Sequence, residues 1–409
     1  VRISGEKLQQ AKKDIGVAES NLYPQISADA AYTRKKEIDF GGGSGAGGAG
    51  GMDLSAFGSP DRYGTLRLGL KQHIYQWGKV WSGKRIAEHY FESSRYRHIR
   101  QVQQILYRVS VRYYEVLLSR RSIEIAENAL KRAEHQLERA EAKFEVGVLT
   151  RTDVLRVEVQ VAQSREELER ARNDHDIARE KLALEMGIDK VKAEIAEPAE
   201  QAFEGTPVSE LYGRALAHRR DFSQAEKQLQ GASERVAFER ADFFPNLSIN
   251  GEYTLTDEEE LFYGKDYDWQ ANLVLSYPLF TGWKNTAELG RAKSKKSEAR
   301  YALDRLKKEI RNEVRSVYLD IQSQEKVIAQ LEQQVESARR NYEQVTARFE
   351  EGLMTAVDQV DAFTALVEAK NRLAQAYYSF QLDLIRLELA VGTFQSDLLQ
   401  KELFNEKQS

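Results

Sequence analysis

Residues Phe144-Glu145-Val146-Gly147-Val148-Leu149-Thr150-Arg151-Thr152-Asp153 return as Phe349-Glu350-Glu351-Gly352-Leu353-Met354-Thr355-Ala356-Val357-Asp358, 205 positions further along the chain. The shared pattern is F-x-x-G-x-x-T-x-x-D. Its glycine suits the left-handed residue that ends a helix. Its threonine, followed three residues later by an acid, suits the capping of a new one. Each stretch therefore predicts a tight hairpin between two helices. The same offset carries Lys79 onto Lys284, Leu70 onto Leu275, Tyr113 onto Tyr318 and Gly187 onto Gly392, so the chain is built from two copies of one plan. The expected repeats are 1–205 and 206–409.

Upstream, Tyr23-Pro24-Gln25-Ile26-Ser27 matches Phe244-Pro245-Asn246-Leu247-Ser248 at an offset of 221. The first copy therefore holds 16 extra residues between Pro24 and Leu70, which is the difference between 221 and 205. They are visible in the glycine run from Gly41 to Gly51, which reads as a long loop between two strands rather than as an interdomain linker.

Outward from each hairpin the sequence is rich in Glu, Arg, Gln, Leu and Ala and lacks proline, which predicts helices over about 80–146 and 285–351, each close to 100 Å long at 1.5 Å per residue. Returning helices are expected over about 151–186 and 356–391. In the first, Val154, Val157, Val161, Ser164, Leu168, Ala171, His175, Ala178 and Leu182 follow three- and four-residue steps. In the second, Ala362, Leu366, Ala369, Leu373, Ala376 and Phe380 do the same, as close helix pairing requires. A further helix is expected over about 209–242.

After Pro24 and Pro245 the period changes from 3.6 to 2. Ile26, Ala28, Ala30 and Tyr32 alternate with polar or small residues, as do Leu66, Leu68 and Leu70, then Leu247, Ile249, Tyr253 and Leu255, then Trp269, Ala271, Leu273, Leu275 and Tyr277. Four strands result, at about 25–38, 63–76, 246–256 and 268–280. Strands of this length with one apolar face and aromatic residues near their ends match outer-membrane strands, with Tyr75, Trp77, Trp81, Trp269, Tyr277, Phe280 and Trp283 at the membrane interfaces.

Composition narrows the class. The 409 residues carry 60 basic and 64 acidic side chains, a net charge of -4, with no long run of either sign and no cysteine. This speaks against a nucleic-acid partner and removes disulfides and thiolate chemistry. No apolar stretch approaches the roughly 18 to 20 residues of a spanning helix. A membrane crossing must then be a β-barrel. Val1 to Gln10 has neither an initiator Met nor a signal-peptide layout, which fits a chain processed ahead of Val1.

Four strands cannot close a barrel, and an open edge cannot lie in lipid, so closure requires several copies. Three copies would give twelve strands and twelve helical columns. With these features the chain resembles the TolC-like outer-membrane efflux family. The doubled hairpin motif carries the resemblance, supported by Ile74-Tyr75-Gln76-Trp77-Gly78-Lys79 and Pro278-Leu279-Phe280-Thr281-Gly282-Trp283-Lys284 where strands lead into helices. His73 stands where the second copy has Pro278, a small departure.

The resemblance implies a mostly α protein with membrane β-structure: a homotrimer whose twelve-stranded β-barrel continues into a periplasmic α-barrel. It implies a passive exit channel of a tripartite efflux or type I secretion system, carrying drugs, metal ions or polypeptides across the outer membrane of a Gram-negative cell. Its partners would be a periplasmic adaptor, an inner-membrane pump and outer-membrane lipid. No cofactor and no catalysis are implied.

By the same resemblance the hairpin tips close the channel and receive the adaptor. The docking positions are Gly147, Val148, Leu149 and Thr150 at one tip and Gly352, Leu353 and Thr355 at the other. Asp358 and Asp361 occupy inward-facing aspartate positions and share a helix face, so that a trimer would hold two carboxylate rings whose mutual repulsion raises their pKa values. Asp358, like Asp153, also fits a plain capping role. Phe349 and Met354 replace a tyrosine and an arginine of the family's polar latch, which leaves Arg151 as a candidate substitute.

Two rival readings remain. An enzyme would need a motif that is absent: there is no G-x-x-x-x-G-K, no H-E-x-x-H and no nucleophile elbow. Asp174-His175-Asp176 reads as a solvated face rather than a metal site, and the acidic run from Asp257 to Glu260 as a hydrated loop. A soluble periplasmic coiled-coil scaffold without channel activity would explain the helices but not the four amphipathic strands.

Overall fold

The register of the strands settles which residues share a face. In the computed structural model, which describes residues 2–34, 62–198, 202–203, 205–257 and 266–395, the chain runs α1 (Arg2–Glu19), β1 (Gln25–Arg34), β2 (Arg62–Tyr75), α2 (Lys79–Glu145), α3 (Arg151–Met186), α4 (Val208–His218), α5 (Arg220–Arg240), β3 (Asn246–Asp257), β4 (Asp266–Ser276), α6 (Lys284–Glu350) and α7 (Ala356–Val391). The Gly41 to Gly51 run and Glu258 to Glu260 lie outside the described residues. None of the described helices is long and apolar enough to cross a membrane.

The strands form one antiparallel sheet in the order β1-β2-β3-β4, with β1 and β4 at its edges. Pairing places Ala28, Leu68, Tyr253 and Trp269 on one rung, and Ala30, Leu66, Leu255 and Tyr267 on the next rung of the same face. The opposite face presents Asp29, Arg67, Thr254 and Asp268 in register, with Arg67 ion-paired to Glu252 at 2.9 Å. The alternation legible within each strand is thus one continuous apolar face across all four. That face is bare: Ile26, Trp269, Leu273 and Leu275 are each 68–74% exposed. The central pair, β2 with β3, joins the first copy of the plan to the second.

Strand β4 ends at Ser276, short of the expected 280, because Pro278 has no N–H to continue a ladder. Between strand and helix, Trp77 and Gly78 in the first copy and Gly282 and Trp283 in the second all take positive φ, at 49°, 77°, 61° and 65°. Each turn thus uses two left-handed residues, and one of them is a tryptophan, which costs of order 1–2 kcal/mol. Trp77 is held there by stacking on Phe244 at 4.7 Å between ring centroids.

By contact density the chain packs as two units that do not follow the repeats. One comprises Val1–Ser4, Tyr96–Ser223 and Leu303–Ser409, and the other Gly5–Arg95 and Gln224–Ala302. The second unit contains the sheet. In the first, α3 buries Val154, Val157, Val161, Ser164, Leu168, Ala171, Ala178 and Leu182, the stripe its spacing predicts, with Gln160 and Ala183 added and His175 only half-buried. Helix α7 buries Ala362, Phe363, Leu366, Ala369 and Phe380.

The single helix expected over 209–242 is broken. Arg219 is extended, with φ -66° and ψ 124°, and separates α4 from α5. The cause is tertiary. Its guanidinium, 4% exposed, donates to both Asp221 oxygens at 3.0 and 2.6 Å, to Glu313 at 2.5 Å and to the Ala390 carbonyl at 3.1 Å. Arg100 donates to the neighbouring Leu389 carbonyl at 3.1 Å. Two arginines thereby donate to carbonyls at the end of α7, where the helix dipole favours positive charge. Burial alone would raise Asp221, but the Arg219 hydrogen bonds and the charges of Arg219 and Arg100 hold it below the usual carboxylate range.

Candidate functional site

Both hairpin tips are built as the motif predicts. Gly147 and Gly352 are left-handed, with φ of 78° and 79°. At each tip the next residue's N–H reaches back five residues, Val148 to the Lys143 carbonyl at 2.9 Å and Leu353 to the Arg348 carbonyl at 2.8 Å. The returning helices start with reciprocal caps. The Asp153 carboxylate accepts from the Thr150 N–H at 3.1 Å while the Asp153 N–H donates to Thr150 Oγ1 at 3.3 Å, and Thr355 with Asp358 does the same at 2.9 and 3.3 Å.

The hydroxyls of Thr150 and Thr355 add further hydrogen bonds to the carboxylates at 2.6 Å. These donors, hydroxyl first and then backbone N–H, hold both Asp153 and Asp358 below the usual carboxylate range. Within the chain, then, Asp358 is a capping acid. Asp361, one turn further along, is exposed and makes no such bond.

Other tip residues divide by burial. Val148 and Leu353 are 61% and 71% exposed, Met354 is half-buried, and Leu149 packs against Ala140, Val154 and Val157. Phe349 is 6% exposed whereas its counterpart Phe144 is 40% exposed, so the two copies of the motif are not equivalent in space. Arg151 extends along its own helix to Glu158 at 3.4 Å and does not reach the other tip.

The tie between hairpins comes from residues that the sequence did not single out. Lys143 donates to the carbonyls of Phe349 and Glu350 at 3.1 and 3.0 Å, with its ammonium 5.0 Å from the centre of the Phe349 ring. Arg139 pairs with Glu350. Gln136 donates to the Tyr342 hydroxyl at 2.6 Å. A basic residue in the last turn of α2 was the available signal, but it reads first as a cap for its own helix.

At the sheet, the aromatic residues form two groups. Tyr75, Trp77, Trp81, Tyr277, Phe280 and Trp283 sit where strands give way to helices, all 47–75% exposed. Trp269 lies near the other end of β4, opposite Tyr253, which stacks on Tyr267 at 6.4 Å. Tyr253 and Tyr267 complete that second group and were not singled out for it. From Tyr267 to Tyr277 is ten residues, about 33 Å along a strand or about 25 Å after a tilt near 40°. His175 Nδ1 lies 3.0 Å from Ser119 Oγ. In the one acidic trio close enough to hold a metal among the described residues, Glu239, Asp242 and Glu288, the first pairs with Arg235 and the second with Lys79.

One antiparallel sheet with a bare apolar face and two capped helical hairpins make up the fold. The family model described as "Outer membrane efflux protein" matches twice, over residues 6–187 and 211–393, and the chain belongs to that family of channel proteins, not enzymes, in the outer membrane of Gram-negative bacteria. It is 28% identical over 319 residues to the alkaline protease secretion protein AprF of Pseudomonas aeruginosa, covering 76% of this chain and 65% of AprF, so it spans slightly less than two thirds of that relative. To the outer membrane protein TolC of Vibrio cholerae it is 25% identical over 333 residues, covering 80% of this chain and 76% of TolC. The CmeC outer membrane channel of Campylobacter jejuni superposes with a TM-score of 0.81 at 18% identity, covering 99% of this chain and 85% of CmeC, which shows the fold.

Proposed function

We propose that the chain is one third of a homotrimeric exit duct, a passive conduit through the outer membrane for drugs, metal ions or polypeptides in a tripartite efflux or type I secretion system. The observation that carries it is the bare apolar face on an open sheet with edges at β1 and β4. In lipid those edges must be paired, and β4 of one protomer beside β1 of the next leaves none open. Three copies give twelve strands, enough for a lumen lined by the Asp29, Arg67, Thr254 and Asp268 face, and the helices below supply twelve columns of an α-barrel. Tyr75, Trp77, Trp81, Tyr277, Phe280 and Trp283 then mark one membrane interface, and Trp269 with Tyr253 and Tyr267 the other.

The hairpin tips would form the periplasmic gate and the surface for an adaptor protein, with an inner-membrane pump behind it. Val148 and Leu353 offer the exposed apolar contacts for docking. The inward carboxylate ring rests chiefly on Asp361, since Asp358 is engaged in capping. Purified protein in a planar bilayer should show stepwise ohmic conductance from a particle of three chains. A monomeric particle released from membranes by salt or alkali alone would instead support the soluble scaffold.

A further inference from the structure

Helix α6 leaves the sheet directly after an exposed aromatic pair. The Phe280 and Trp283 rings meet edge to face with centroids 6.0 Å apart, and both stand open to solvent beside an exposed Leu279. Over residues 284–300 the sequence then carries Lys284, Arg291, Lys293, Lys295, Lys296 and Arg300 against two acids, Glu288 and Glu298. All six cations are exposed, and none makes an ion pair among the described residues.

The other copy of the plan does not repeat this. At the 205 offset, Arg291, Lys293, Lys295 and Lys296 become Ile86, Glu88, Tyr90 and Phe91. Cations at the start of α2 are neutralised within the chain, Lys79 by Asp242, Lys84 by Glu19 and Arg85 by Glu234. The unpaired set therefore belongs to α6 alone and is not a by-product of the duplication.

Helical spacing sorts these cations onto two flanks. Asn285, which donates to the Asp242 carbonyl at 2.8 Å, and buried Ala292 mark the line along which α6 packs within its own chain. Lys284, Arg291 and Lys295, at steps of seven and four, lie to one side of it, and Lys293, Lys296 and Arg300, at steps of three and four, to the other. Glu288, the acid on the first side, turns to Glu239 and Asp242, with carboxylate oxygens within 4.8 Å of one another. Distance from the aromatic pair separates the flanks. The first begins beside Trp283, whereas the second begins about 15 Å along the helix from it. Side chains lean toward a helix N-terminus, which brings Arg291 back toward the level of Trp283. Attraction to a charged surface fades within a Debye length of about 8–10 Å, so the first flank is the one in reach of headgroups at that level.

We propose that the flank of Lys284, Arg291 and Lys295 binds the headgroups of anionic phospholipids at the membrane surface that Phe280 and Trp283 mark. The proposal rests on the reading of the sheet as embedded in the membrane. The aromatic rings set the depth, and the cations select the lipid, each cation near the surface contributing about fivefold in affinity.

The test uses the full chain in vesicles of equal parts phosphatidylcholine and phosphatidylglycerol, with bromine on the acyl chains of one lipid or the other. Quenching of tryptophan fluorescence then gives the relative affinity for the two. Averaged over the surrounding lipids, a preference for phosphatidylglycerol of about threefold is expected in low salt, falling toward parity in about 1 M salt. Replacing Lys284, Arg291 and Lys295 together by Gln should abolish the preference, whereas replacing Lys293, Lys296 and Arg300 together by Gln should keep most of it. Quenching by brominated phosphatidylcholine reports insertion of each variant. Should the first triple variant fail to insert, Arg291→Gln alone should cut the preference by about half. Equal quenching by the two lipids in the unsubstituted chain, or a loss as large in the second triple variant as in the first, overturns the proposal and leaves the duct in place. No quenching by brominated phosphatidylcholine in the unsubstituted chain would overturn both.

Discussion

Lys143, on the last turn of α2, caps the end of α6 by donating to the Phe349 and Glu350 carbonyls, and so ties one hairpin to the other within a single chain. An ammonium at a helix C-terminus interacts favourably with the helix dipole, by about 0.3–1 kcal/mol at an exposed site. Lys143→Met should remove that tie while leaving both hairpins folded. Amide exchange across residues 349–355 is expected to quicken by about two- to fivefold, with no change in the strands. If those amides kept their rates, Lys143 would be an ornament of the surface.

The roles of Asp358 and Asp361 should separate. Asp361→Ala is expected to weaken block of single-channel current by multivalent cations, because its exposed carboxylate is free to face an aperture. Asp358→Asn should chiefly loosen the start of α7, seen as faster exchange of the amides of residues 356–359, because its oxygens serve Thr355. Cation block unaltered in Asp361→Ala would remove the carboxylate ring.

Acid should weaken the unit that contains Arg219. Asp221 titrates lower in the folded chain than in the unfolded one, so its contribution is present above the unfolded value of about 3.9 and is lost as pH falls through the lower folded value. Thermal melting should drop as pH is lowered below about 4, and Asp221→Asn should reduce both the starting stability and this part of the slope. A slope identical in the variant would show that other carboxylates dominate.

Two glycines at the ends of returning helices should differ in tolerance. Gly187 has φ 70° with open space around it, whereas a Cβ on Gly392, at φ 85°, would sit 2.8 Å from the Arg219 backbone nitrogen. Gly187→Ala should cost only the left-handed conformation, about 1–2 kcal/mol. Gly392→Ala adds an overpacking cost of about 1–3 kcal/mol, read as a larger fall in Tm. Equal losses would mean that the contact at Arg219 gives way easily.

The two faces of the sheet should respond oppositely to charge. Leu273→Lys, midway between Tyr267 and Tyr277, places an ammonium on the apolar face and should cost about 2–4 kcal/mol near mid-membrane, seen as loss of assembled, heat-stable oligomer. Thr254→Lys, from the polar face, should assemble normally. Equal tolerance would argue that the apolar face does not meet lipid.

Much of this protein is fixed by local pattern. The duplicated motif alone dictates both hairpins, because a left-handed glycine and a reciprocal threonine–aspartate cap need only neighbouring residues, and the three- and four-residue spacing of Val154 to Leu182 marks the buried stripe for the same reason. Alternation within each strand assigns its apolar side, since successive side chains must point oppositely. Tertiary structure alone decided that β2 pairs with β3 to join the copies, that Arg219 breaks the helix over 209–242, and that Lys143 rather than Arg151 ties the tips. Each of these turns on partners between about 90 and 210 residues away, whose cost in chain entropy and gain in buried charge no local window contains.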